Sequence, residues 1–137
     1  MTHLEPLSHV LLVDDGDVDL IVYQRIIART GLADTVVACN SAERALEHLR
    51  EPGRAPVDLT LLDVNMPRLD GFDFLDRVAA EWGVTALGRV VIMLTTPLSA
   101  PHRARAKRHG IIDRFVDKPL SEAQFSAIVR DARSRCR

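Results

Sequence analysis

Short continuous apolar runs alternate with longer segments of helical periodicity along this chain, and each run stops at a polar residue. Val10-Leu11-Leu12-Val13 meets Asp14 and Asp15, Leu59-Thr60-Leu61-Leu62 meets Asp63, Val90-Val91-Ile92-Met93-Leu94 meets Thr95, and the run from Ile111 to Val116 stops just short of Lys118. The runs lack the in/out alternation of a sheet with one wet face, so they predict strands covered on both sides. A further strand is expected over Thr35 to Cys39. Strands alternating with helices in this way predict an α/β fold with a parallel sheet.

The helical segments are read from their apolar spacing and their punctuation. Asp17 to Thr30 is expected to bury Val18, Ile21, Val22 and Ile26, with Asp17 and Asp19 at the positive end of the helix dipole and Gly31 after the last turn. Ser41 caps a second helix with Ala42, Ala45, Leu46 and Leu49 at i, i+3, i+4 and i+7, ended by Pro52-Gly53. The stretch from Val64 to Asp70, which carries Pro67, is a loop before a third helix whose stripe is Phe72, Leu75, Val78 or Ala79, and Trp82. Ser99 to His109 has only Ala100 and Ala104 beside Arg103, Arg105, Lys107 and Arg108. At about 25 cal/mol per Å2 of buried apolar surface, such small residues hold this helix least firmly and make it the element expected to move. Ser121 caps a last helix with Phe125, Ile128, Val129 and Ala132 at helical spacing.

A length of 137 residues, 47% of them hydrophobic and 27% charged, suits one well-buried core, a single domain over residues 1–137. A net charge of -1 favours neither nucleic acid nor an anionic membrane surface. Met1 to Ser8 lacks the basic start and apolar core of a signal peptide, and no apolar stretch approaches the roughly 20 residues of a membrane span, so a cytoplasmic location is expected. Cys39 and Cys136 stand far apart without a CxxC partner; they read as a buried thiol and a tail residue in a reducing compartment.

In a doubly wound sheet, ligands bind beyond the carboxyl ends of the strands, which is where Asp14, Asp15, Asp63, Thr95 and Lys118 all fall. Three crowded carboxylates call for a divalent cation, and an all-oxygen donor set suits a hard ion such as Mg2+. A lysine and a hydroxyl beside it suit a phosphoryl group. Asp63 reads as the nucleophile, able to form an acyl phosphate. Asp15, with Asp14 partly through water, would hold the metal, and the backbone carbonyl of Asn65 would complete the protein's ligands. Lys118 would neutralise phosphoryl charge and Thr95 would donate a hydrogen bond to it. Each residue also has an ordinary structural reading: aspartates before a helix serve as caps, Lys-Pro as a solvated turn, Thr95-Thr96 as plain strand-end polarity. The combination in this order is what points to chemistry.

The segments VLLVDDGDVD, LTLLDVNMPRLDGFDFL, VIMLTT and DKPL resemble the signature blocks of the receiver domain of bacterial two-component response regulators, the CheY-like family, over about residues 8 to 133. The resemblance implies a flavodoxin-like doubly wound sheet of five parallel strands in the order 2-1-3-4-5 with five helices. It implies Mg2+-dependent phosphoryl transfer from a kinase's phosphohistidine to Asp63, with Asp14 and Asp15 as acid pair, Thr95 as switch hydroxyl, Lys118 as the conserved-type lysine and Phe115 as switch aromatic. Phe115 also has an ordinary reading as a core ring on strand five, and both hold together if the ring packs inward in one state and outward in the other. Gly16 stands where a polar residue is common, and Pro97, two residues after Thr95, occupies a place that bears on phosphate loss.

The chain thus resembles a stand-alone receiver, not an enzyme acting on a separate substrate, although such domains catalyse their own phosphorylation and dephosphorylation. Expected partners are a sensor histidine kinase or a histidine phosphotransfer protein, then an effector or a second copy docking on helix four, strand five and helix five. Basic residues of helix four, with Arg130, Arg133, Arg135 and Arg137, could meet an acidic partner there or be a solvated face. Competing readings are a phosphate shuttle or phosphorylation-independent adaptor, and a phosphohydrolase with an Asp nucleophile. The hydrolase is disfavoured because Val64 and Asn65, not an acid two residues on, follow Asp63 and no substrate-capping insertion is visible.

Overall fold

A computed structural model describes residues 5–83 and 85–135, apart from the side chains at 134 and 135. Ten elements alternate without exception: β1 (Leu7–Val13), α1 (Asp17–Thr30), β2 (Ala33–Cys39), α2 (Ala42–Arg50), β3 (Leu59–Asp63), α3 (Gly71–Trp82), β4 (Arg89–Leu94), α4 (Ala100–Arg108), β5 (Ile112–Asp117) and α5 (Glu122–Arg135). The strands form one parallel sheet in the order β2-β1-β3-β4-β5. This is the order that the resemblance implied.

Both faces of the sheet are covered, as the absence of alternation required. Successive residues of β1 and β4 feed opposite cores. Leu11, Val13, Val90 and Ile92 pack with α2 and α3, whereas Val10, Leu12, Val91 and Met93 pack with α1 and α5. All five residues of β3 are buried. Of its two polar residues, Asp63 ends the strand and Thr60 is satisfied by donating its hydroxyl to the Leu87 carbonyl at 2.9 Å.

The caps follow local chemistry. Ser41 accepts from the Arg44 N–H, Ser121 accepts from the Gln124 N–H at 3.0 Å, and Gly31 closes α1 in the left-handed conformation at φ 65°. Asp70 and Asp73 form a reciprocal capping box at the start of α3. The predicted stripes of α2 and α5 are buried in full, and α3 adds Phe74 to Phe72, Leu75 and Val78, leaving Ala79 exposed and Trp82 partly covered. The β2 strand begins two residues earlier than expected, and β5 is shifted by one residue, to Ile112–Asp117.

Helix α1 overturns its expected orientation. Its buried residues are Leu20, Tyr23 and Ile27, while Val18 (73%), Ile21 (50%) and Val22 (39%) are exposed. At 3.6 residues per turn these two sets lie on roughly opposite sides of the helix. Apolar residues occur all round α1, so periodicity alone leaves two candidate faces. The face carrying the large Tyr23 ring wins the place against the sheet and α5.

A second correction concerns the basic strip. Arg105 turns toward the acids of α3, and Arg133 donates to the carbonyls of Glu5 and Pro6. The strip is therefore thinner than the sequence implied. Cys39 is buried as expected, and burial pushes its thiol up to about 11. Cys136, Arg137 and the Arg135 side chain lie outside the described residues.

Candidate functional site

The carboxyl edge of the sheet gathers the predicted residues because parallel strands all end on the same side. Backbone bonds carry the ladder past the strand ends: the Asp14 N–H donates to the Cys39 carbonyl at 3.1 Å and the Lys118 N–H to the Leu94 carbonyl at 2.6 Å. Asp14 and Lys118 are thereby held on either side of Asp63, which closes β3 between β1 and β4. The loop after Asp63 is pinned by α3, since a Cβ on Gly71 would lie 2.7 Å from the Asp63 carbonyl oxygen. Only glycine permits that approach.

Asp14, Asp15 and Asp63 each offer a carboxylate oxygen within 4.8 Å of the others. Asp14 and Asp63 are buried and Asp15 is exposed, so the group has a sealed floor and an open mouth. Lys118 reaches in with its ammonium 2.7 Å from Asp14 Oδ2 and 3.7 Å from Asp63 Oδ2. The other oxygen of Asp14 accepts the Gly16 N–H at 2.8 Å, so both Asp14 oxygens are engaged by the protein. Asp63 Oδ1 accepts the Asn65 N–H at 3.3 Å.

The electrostatics follow from this crowding. Burial first, and then the Asp14 charge, push the Asp63 carboxyl up to about 6, with Lys118 pulling in the other direction. Burial disfavours the Lys118 ammonium, yet the Asp14 hydrogen bond and the Asp63 and Asp14 charges outweigh it and raise its pKa. Three acids facing one lysine leave an excess of negative charge. The donor set is all oxygen. Both features fit a hard divalent cation such as Mg2+, held by Asp15 and Asp63 with Asp14 behind them.

Of the remaining predicted residues, Asn65 follows β3 and Thr95 follows β4 on the same edge, whereas Phe115 lies within β5. Thr95 follows β4 directly and is exposed. Phe115 is 44% exposed, so in this structure its ring is outward rather than in the core. Two participants escaped the sequence reading. Asp19, taken there only as a helix-dipole acid, places Oδ2 3.6 Å from the Lys118 ammonium. Tyr23 is buried beneath the site, its hydroxyl pushed up to about 12 by burial against the pull of Lys118. The spacing of Asp19 and Tyr23, one helical turn apart, was the available signal.

The "Response regulator receiver domain" family profile matches residues 10–130, most of the chain. The chain belongs to the response regulator receiver domain family. As a receiver domain it is 32% identical over 124 residues to the two-component response regulator ORR3 of Oryza sativa subsp. indica, covering 90% of this chain and 89% of that protein. It is 29% identical over 119 residues to ORR1 of Oryza sativa subsp. japonica, covering 83% of this chain and 50% of that protein, so it spans about half that relative's length. In three dimensions it superposes with a TM-score of 0.81 on a two-component response regulator from Cytophaga hutchinsonii, at 23% identity over 95% of this chain and 99% of the other. That likeness supports the flavodoxin-like, CheY-like fold. The rice relatives do not carry the bacterial origin that the sequence resemblance implied. Among the described residues no helix is long and apolar enough to cross a membrane.

Proposed function

We propose that this receiver domain accepts a phosphoryl group on Asp63 from a partner's phosphohistidine, with Mg2+ bound, and signals by the surface change that follows. The observation that carries the reading is the convergence of the buried Asp63 carboxylate, the Asp14-Asp15 pair and the Lys118 ammonium at one open edge of the sheet.

Each residue has a task in that reading. Asp63 is the nucleophile: one of its oxygens bonds to phosphorus as the N–P bond of the donor breaks, and the electron pair returns to the imidazole nitrogen. Asp15 and Asp63 would hold the cation, with Asp14 behind them, since both Asp14 oxygens already accept from Gly16 and Lys118. The Asn65 carbonyl supplies a further oxygen. When bound, the cation would neutralise acid charge and polarise the phosphoryl oxygens. Lys118 pairs with a phosphoryl oxygen once it arrives, and Thr95 donates to another. A side chain at Phe115 that is outward in the unmodified protein can then change its surroundings as Thr95 moves. The domain is no enzyme for a separate substrate, although its own residues catalyse gain and loss of the phosphoryl group. Histidine kinases or phosphotransfer proteins are the donors, an effector or second copy docks on α4, β5 and α5, and the setting is cytoplasmic.

Incubation with acetyl phosphate and Mg2+, followed by intact-mass measurement, tests the reading. One phosphoryl group per chain, lost in Asp63→Asn and lost with EDTA, is expected. Continuous phosphate release without a modified chain would instead identify a hydrolase, and an unmodified, inert chain an adaptor.

A further inference from the structure

Helices α1 and α3 both carry an aspartate three residues after the N-cap, and the two aspartates behave differently. In α3 the carboxylate of Asp73 turns back to accept the N–H of the N-cap, Asp70, at 3.0 Å. In α1 the corresponding N–H belongs to Gly16 and is already given to Asp14 Oδ1. Asp19 is left without that cap and points instead toward Lys118, at 3.6 Å.

Gly16 makes the approach possible. Its backbone, at φ -85° and ψ 108°, is open to any residue, so glycine is not needed there for conformation. What it provides is room. A Cβ at position 16 would lie 3.1 Å from Asp19 Oδ2 and 3.3 Å from Asp14 Oδ1. The Asp14 oxygen is tied by a hydrogen bond, so the flexible Asp19 carboxylate is the one that would yield. The missing side chain and the inward acid form one arrangement.

Resting on the phosphoacceptor reading above, we propose that Asp19 is a positioning residue for Lys118: it takes the ammonium when a cation draws on Asp14, and competes for it with the phosphoryl group on Asp63. Asp19 lies outside the three-carboxylate group, so it keeps its oxygens for Lys118 when that group is loaded. Its side chain is 49% exposed, whereas Lys118 is 8% exposed. The pull is therefore weak and reversible, as a competitor's must be.

The test is a double-mutant cycle between Asp19 and Lys118. At saturating Mg2+, Asp19→Asn should raise the rate of acetyl phosphate modification about threefold, and the gain should shrink below about 1.5-fold in a Lys118→Ala background. Gly16→Ala, which displaces the carboxylate without removing its charge, should act in the same direction, and the Gly16→Ala/Asp19→Asn pair should gain nothing further. An unchanged rate in Asp19→Asn, or an equal gain with and without Lys118, would overturn the proposal. Calorimetric Mg2+ titration runs the same cycle without a phosphodonor. There Asp19→Asn should weaken binding about threefold when Lys118 is present and less when it is absent. A wild-type chain that binds Mg2+ but is never modified at Asp63 would sink the phosphoacceptor reading, and the Mg2+ cycle would still decide the role of Asp19.

Discussion

Helices α4 and α5 flank β5 in the chain and are attached to the molecule by different physics. Helix α5 inserts Phe125, Ile128, Val129 and Ala132, all buried, into the core it shares with α1. Helix α4 buries no residue at all. It is held by polar contacts: Arg105 pairs with Asp70, Asp73 and Asp76 at the start of α3, and the imidazoles of His102 and His109, on the same face at i, i+3 and i+7, lie beside Asp70 and Asp76. The Phe72 ring lies between them, with the Arg105 guanidinium 5.5 Å and the His102 ring 5.4 Å from its centroid. Apolar attachment gains free energy from close contact without needing aligned charges, whereas the Arg105 ion pairs depend on alignment and are screened by salt. A helix held in the second way would uncover the Phe72 ring and Ala106 on leaving its seat, less apolar surface than the four buried side chains of α5. That suits α4, and not α5, to motion.

The comparison predicts a graded set of responses. Phe125→Ala should destabilise the whole domain by about 3–5 kcal/mol in urea unfolding, since it empties a fully buried ring site. A much smaller loss would mean that α5 is not anchored by its core face.

The acid group between these extremes combines tight packing with charge, and its response should depend on pH. Because Asp63 has its pKa raised to about 6 from the ordinary aspartate value of 3.8, the folded state binds its proton more tightly than the unfolded chain does. Stability contributed by this group is thus present at low pH and lost as pH rises from about 4 to 6. Metal-free Asp63→Asn should then exceed the wild type by about 2 kcal/mol at pH 8, and the gap should close below about pH 4. Thermal unfolding in EDTA across pH 4–8 reads it, and saturating Mg2+ should narrow or reverse the gap by stabilising only the wild type. A gap independent of pH would show that Asp63 is not electrostatically strained.

Arg105→Ala should lower global stability by about 1 kcal/mol or less, yet raise amide hydrogen exchange in α4 selectively. Exchange that rises equally in α5 would erase the distinction between the helices. The smallest effect is that of salt. Raising ionic strength from 0.1 to 1 M shortens the screening length from about 10 to about 3 Å, which should loosen α4 by a few tenths of a kcal/mol and leave α5 unmoved.

The sequence on its own determined the order of elements, the covered sheet, the stripes of α2, α3 and α5, and the gathering of Asp14, Asp15, Asp63 and Lys118. These are consequences of local periodicity and of a rule of parallel sheets, that all strands present their carboxyl ends together. It also exposed the weakness of α4, because a helix without large apolar residues cannot be buried by them. The tertiary structure alone decided which face of α1 turns inward, since Val18, Ile21 and Val22 and the rival set Leu20, Tyr23 and Ile27 are equally periodic and only packing against α5 separates them. It decided the outward Phe115 and the acids that α4 meets. It also assigned Asp19 to Lys118 across most of the chain, a pairing that depends on a hydrogen bond from Gly16 to Asp14. Periodicity reports neighbours along a helix, whereas ion-pair partners and the choice between two apolar faces are set by what the rest of the chain brings alongside.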